Sequence, residues 1–250
     1  MSRPPTLWRD LRRFTPARVA LGRAGAGLPT AAHLAFQADH AAARDAVHTA
    51  LDVDRLLADL AAAGLAAQVV GSACPDRPTY LRRPDLGRRL DPADRAALAA
   101  SPAPGLLFVV CDGLSATAVQ RHAAPLLALL VPALAPAGRI VIARQGRVAL
   151  GDDIGAALGA AAVAVLIGER PGLSAPDSLG VYLTWAPRPG RTDAERNCLS
   201  NVRPEGMPVA EAARKLAWLV AEMHRLRLTG VALKDEAPPR QDRLTSVDSM

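Results

Sequence analysis

Residues 162–172 run Ala-Val-Ala-Val-Leu-Ile-Gly-Glu-Arg-Pro-Gly, an apolar segment that ends abruptly in a polar one. The apolar run 162–167 has the length and β-branched content of a buried strand, and Gly168 and Pro171 end it in a polar turn. Working outward, the same grammar recurs upstream. Residues 67–71, 107–111 and 139–143 read as strands, and helical patterns follow them. A short helix opens at Asp91 with Pro92 in its first turn, a second runs from beyond Ser115 to about Leu134, and a third spans 152–158. Strands alternating with helical crossovers predict an α/β fold, a Rossmann-like doubly wound and mainly parallel sheet.

The flanking segments complete the plan. Residues 1–29 form a basic N-terminal arm with a short helix near 7–14. Residues 30–63 read as helical with a break near Asp39 and an apolar stripe of Leu34, Val47, Leu51, Leu56, Leu57 and Leu60. His33, His40 and His48 lie along it without a carboxylate set, which favours solvated or capping roles over metal binding. Residues 74–90 read as a loop. Residues 168–206, proline-rich and polar, read as an ordered binding loop interrupted by a strand-like 181–185. A helix over 209–226 and an edge strand at 231–233 follow. The division is thus an arm (1–29), one domain over 30–236 (helical to 64, α/β from 65) and a disordered tail (237–250).

Half of the 250 residues are hydrophobic but only 3% are aromatic, so Ala, Leu and Val must build the interior. Such a core gives little burial per residue and suits a subunit that leans on a partner. The net charge of +6 concentrates in the first thirty residues and in 77–89. Arginines interleaved with acids, without aromatics, do not make a nucleic-acid stacking platform, whereas a basic arm suits an acidic protein partner. Cys74, Cys111 and Cys198 fit neither a disulfide framework nor a structural zinc site and suit a reducing cytosol. The expectation is no signal peptide, no membrane span and a cytoplasmic location.

In an open parallel sheet, ligands bind beyond the carboxyl ends of the strands. Polar clusters stand at all four: Ser72, Asp112-Gly113-Leu114-Ser115, Arg144-Gln145-Gly146-Arg147-Val148 and Gly168-Glu169-Arg170. Singly, each has an ordinary explanation. Asp112 or Ser115 can cap a helix, Glu169 and Arg170 can pair on the surface, and Cys198 can be a small buried hydrophobe. As a set at one sheet edge they mark a site. No Walker lysine and no GxGxxG follows a strand, and Gly22, Gly25 and Gly27 have neither the strand nor the spacing of a dinucleotide fingerprint. His122 and His224 fall in helices, so no Ser–His–Asp set is evident. A large amide-decorated ligand suits turns rich in backbone groups.

The stretch GERPGLSAPDSLGVYLTWAPRPGRTDAERNCLSNVRPEG (168–206) resembles the small (light) subunit of ethanolamine ammonia-lyase, an adenosylcobalamin-dependent enzyme. So do TPARVALGRAGAGLPT (15–30), VVCDGLSATAVQ (109–120) and ARQGRVALGDDIG (143–155). The resemblance implies a Rossmann-like domain against one face of the corrin, with a larger barrel subunit covering the other face and carrying the substrate site. It places cofactor contacts on Val148, Glu169 and Cys198; Asp112, Ser115 and Arg147 are further candidates from their position at the strand ends alone. It implies no catalytic residue on this chain and no protein metal ligand, the cobalt being held by the corrin. DxHxxG is absent, so the cofactor is expected to keep its dimethylbenzimidazole as lower ligand (base-on). The implied reaction is radical conversion of ethanolamine to acetaldehyde and ammonia in a hetero-oligomer, with enclosure in a bacterial microcompartment left open. The other reading is a non-catalytic basic adaptor for nucleic acid or an acidic protein. Glu169, taken as a turn residue with little packing, is expected to tolerate Ala without unfolding.

Overall fold

A six-stranded sheet organises the computed structural model, which describes residues 10–15, 17–103, 105–134 and 138–238. In chain order the elements are α1 (Thr30–His48), α2 (Val53–Ala62), β1 (Ala67–Gly71), α3 (Arg77–Arg82) and α4 (Pro92–Ala99). Then come β2 (Leu106–Cys111), α5 (Ala116–Leu130), β3 (Arg139–Arg144), α6 (Leu150–Leu158) and β4 (Ala162–Gly168). β5 (Leu179–Trp185), β6 (Arg196–Val202) and α7 (Val209–Leu226) complete the series. The sheet order is β1-β3-β2-β4-β5-β6. The first four strands are parallel, and β5 and β6 are antiparallel.

The α/β class stands, and the sheet is mixed: the four parallel strands are continued by the antiparallel pair β5 and β6. Crossover direction reverses at each step, from β1 past β3 to β2, back to β3, then past β2 to β4. Crossovers of one hand then place α5 on the face opposite α4 and α6. Alternation along the strands feeds both layers. Phe108, Val110, Ile142 and Leu166 pack with α2, α5 and α7, while Val109, Cys111, Val141 and Val165 pack with α4 and α6. β2 and β4 are buried throughout, which is why their sequences are apolar without a break.

Several expectations are corrected. The 168–206 stretch is not one loop, because it contributes both β5 and β6. In β6 only Arg196, Leu199 and Val202 point inward, and a register irregularity opposite Leu179 and Val181 spoils the two-residue period. The helical break falls at 49–52 rather than Asp39, since Asp52 caps α2 by accepting from the Arg55 amide at 3.0 Å. Leu34 leaves the apolar stripe, being 57% exposed, whereas Leu56 and Leu60 are fully buried. Within 74–90, Asp76 caps α3 by accepting from the Thr79 amide at 2.8 Å. Residues 230–232 form a 3-10 turn, not an edge strand. The Asn197 side chain holds that turn, donating to the Leu233 carbonyl and accepting from the Gly230 amide, each at 2.8 Å. Of the helix expected at 7–14, Leu11–Arg13 form a 3-10 turn and 7–9 lie outside the described residues, as does the tail from 239.

Candidate functional site

The order β3-β2-β4 sets three strand-end turns side by side. Asp112, 2% exposed, binds the first two together: its Oδ1 accepts from the backbone amides of Gly113 and Gly146, each at 3.0 Å. Arg77 stands 3.5 Å from the other carboxylate oxygen and donates to the Gly113 carbonyl at 2.7 Å. Burial raises the Asp112 pKa against the pull of Arg77 and the backbone donors. The turns after β2 and β4 meet so closely that neither tolerates a side chain. A Cβ on Gly113 would lie 2.2 Å from the Gly168 carbonyl oxygen, and one on Gly168 would lie 2.0 Å from that of Ser115. Ser115 is fully buried, accepts from the Ala118 amide at 3.2 Å as the cap of α5, and donates to the Pro176 carbonyl at 2.7 Å. Asp112 and Ser115 therefore form the floor beneath the turns.

The turn after β3 passes through Gln145 in the left-handed region, at φ 54°. Beyond it the Arg147 guanidinium stacks on the Tyr80 ring, 4.3 Å from the centroid, while the Tyr80 hydroxyl donates to the Gly146 carbonyl at 3.0 Å. Arg147 Nε is buried and has no partner among the described residues. In the turn after β4, Glu169 ties three segments. Its carboxylate accepts from the hydroxyls of Ser178 (2.5 Å) and Ser200 (2.6 Å) and from the Asn201 amide (3.2 Å). It does not pair with Arg170, and the idea that it carries little packing is corrected.

These turns surround an open cleft of about 450 Å³ whose wall includes Gly113, Arg147, Val148, Gly168, Glu169 and Tyr182. Cys198 stands opposite Tyr182 in the β5–β6 register. It is exposed, which corrects its reading as a buried hydrophobe. Burial raises the pKa of the Tyr182 hydroxyl, which stays protonated at neutral pH. Val148, Glu169 and Arg147 thus share one wall, Cys198 adjoins it, and Asp112 and Ser115 underlie it. Ser72 does not join them, because β1 lies beyond β3; its hydroxyl donates to the Gln145 carbonyl at 2.7 Å. Tyr80, Tyr182 and Arg77 were not anticipated. A signal existed for two of them: Tyr80 and Tyr182 are the only tyrosines in an aromatic-poor chain, and both line this cleft.

Backbone amides and carbonyls, one carboxylate, a stacked cation and two phenols converge here. Among the described residues there is no cluster of three or more His, Cys, Asp or Glu able to hold a metal ion. No helix among them is long and apolar enough to cross a membrane. Fold and cleft together give an α/β chain with a polar cleft at its strand ends, open on one side. Residues 5–234 match the family model described as ethanolamine ammonia-lyase light chain (EutC). The ethanolamine ammonia-lyase small subunit of Bradyrhizobium diazoefficiens is 59% identical over 248 residues, covering 96% of this chain and 94% of that protein. That of Azotobacter vinelandii is 58% identical over 239 residues, covering 92% and 88%. That of Xanthomonas campestris pv. campestris is 53% identical over 243 residues, covering 94% and 89%. The chain belongs to the ethanolamine ammonia-lyase small-subunit family and is a subunit of a lyase, whose naming implies a larger companion chain.

Proposed function

We propose that this chain forms half of an adenosylcobalamin site, closed by the large subunit, in an enzyme that converts ethanolamine to acetaldehyde and ammonia. The observation carrying the proposal is the convergence of Val148, Glu169 and Arg147 on one open cleft, with Cys198 at its margin. A corrin is edged with amides, which need both donors and acceptors. The cleft offers the Glu169 carboxylate, the glycine turns and the orphaned Arg147 Nε. Gly113 and Gly168 let the turns after β2 and β4 pack backbone against backbone, which closes the floor of the cleft. Glu169 cannot be seated alone: its bonds to Ser178, Ser200 and Asn201 align β5 and β6, and with them Tyr182 and Cys198.

The bound cofactor, base-on in this reading, supplies the radical that starts the reaction. The chain's own share is to orient the ring and exclude water from one face, with Val148 and Tyr182 as apolar contacts and Glu169 as acceptor. Residues 30–236 form the cofactor domain, residues 1–29 an arm toward the large subunit, and the assembled enzyme works in the cytoplasm, free or within a microcompartment. The test is reconstitution. The chain mixed with the large subunit and adenosylcobalamin should release ammonia from ethanolamine, and neither chain should do so alone. A properly assembled but inactive mixture rejects the proposal.

A further inference from the structure

A second cavity, of about 680 Å³, adjoins the cleft and shares Arg147 and Val148 with it. Its character is different. Arg88 and Arg89 line it together with Arg147, and none of the three has a carboxylate within 4.0 Å among the described residues. Two of the three acids that also line it are engaged by arginines outside it: Asp85 accepts from Arg83 at 2.9 and 2.7 Å, and Asp153 accepts from Arg95 and from the Leu90 amide. The third, Asp193, is exposed and lies 3.6 Å from Arg196. Arg196 is itself held by Asp152, and Arg191 by Glu195. The cavity is left with an excess of positive charge. It also contains Val148 and Ala149, which lead into α6.

We propose that this arginine-lined cavity holds the phosphodiester of the cofactor's nucleotide tail, an inference that rests on the cobalamin reading above. That ligand combines an amide-edged ring with one anionic group, and a single molecule spanning both needs two compartments with a common wall. Arg147 and Val148 are that wall. The cleft itself is a poor home for the anion, because Glu169 is there and Arg147 is stacked on Tyr80. The rival cation is Arg170, which lines the cleft and is exposed.

The experiment uses the complex assembled with the large subunit. Binding is followed by equilibrium dialysis with three corrinoids: adenosylcobalamin, adenosylcobinamide phosphate (no base) and adenosylcobinamide (neither base nor phosphate). Arg88→Ala/Arg89→Ala, both exposed positions, should weaken the first two about tenfold to a hundredfold and leave the third unchanged. Unchanged melting temperature and subunit assembly accompany that result. Equal weakening of all three, or of none, overturns the assignment. So does a phosphate-dependent loss carried by Arg170→Ala instead of the pair. If the unaltered complex binds none of the three, the cofactor reading itself fails, a result distinct from failure of the arginine cavity.

Discussion

The parallel half of the sheet, β1 to β4, and the antiparallel half, β5 and β6, are held by different forces. β2 and β4 are buried along their whole length, and burial of each Val or Leu is worth about 1.5–3 kcal/mol. β6 is half polar and is fastened by side chains. Arg196 reaches Asp152 of α6 through two bonds (2.8 and 2.6 Å), Asn197 holds the 230–233 turn, and Glu169 holds Ser200 and Asn201. The parallel half builds the floor of the cleft, and the antiparallel half is clamped over it to bring up Tyr182 and Cys198. A cleft wall of the second kind depends on a few polar ties that must all be satisfied.

The largest effect should come from the deepest tie. Asp152→Ala strands Arg196, whose side chain is only 2% exposed, and should cost about 3–5 kcal/mol in denaturant unfolding. The double change Asp152→Leu/Arg196→Met should recover much of that loss. A single-variant loss under about 1 kcal/mol would mean that the pair does not fasten β6. Next, Leu166→Ala on fully buried β4 should cost about 2–4 kcal/mol yet leave corrinoid affinity per folded molecule unchanged, because its side chain faces α5 and not the cleft. Glu169→Ala should do the reverse. A stability loss of about 1–3 kcal/mol should accompany a clear loss of adenosylcobalamin binding by the assembled complex, with Glu169→Gln intermediate. Equal cofactor affinity in both Glu169 variants and the parent would remove Glu169 from the site.

Much of the parallel half was legible because strands buried on both faces must be apolar without interruption, and glycine-bearing polar turns must end them. β6 was not, since Arg-Asn-Cys-Leu-Ser-Asn-Val shows no two-residue alternation and its chief anchor, Asp152, lies 44 positions away. Nor was Tyr80: its place under Arg147 depends on a hydrogen bond to Gly146, 66 residues on, that no local pattern announces. Glu169 was found for its position at a strand end, but its hydroxyl partners come from two segments whose approach only the folded sheet creates.

The smallest effect concerns acid. Glu195 is held down to about 2 by the Thr192 amide, then Arg191 and the Thr192 hydroxyl. Asp177 is also lowered: Arg121, Arg203 and His122 overcome the opposing effect of burial, the largest single influence on it. A carboxylate whose folded pKa is depressed contributes stability that is fully present above its ordinary value and lost as pH falls through the folded one. Both groups lie in the 168–206 stretch, whereas buried Asp112 is shifted upward and gains from protonation. From pH 5 toward 2, amide-exchange protection should therefore fall first in β6 and last in β2. Glu195→Gln should flatten the β6 slope, and simultaneous loss in both strands would erase the distinction.

An amide-exchange footprint of the assembled complex with and without adenosylcobalamin asks whether the strand-end turns and the two antiparallel strands form one corrin face. Protection confined in this chain to residues 112–115, 145–148, 168–170 and the facing segments around Tyr182 and Cys198 is the predicted result. A complex that binds the cofactor without protecting those turns, or protects β6 and leaves the turns unchanged, would contradict it.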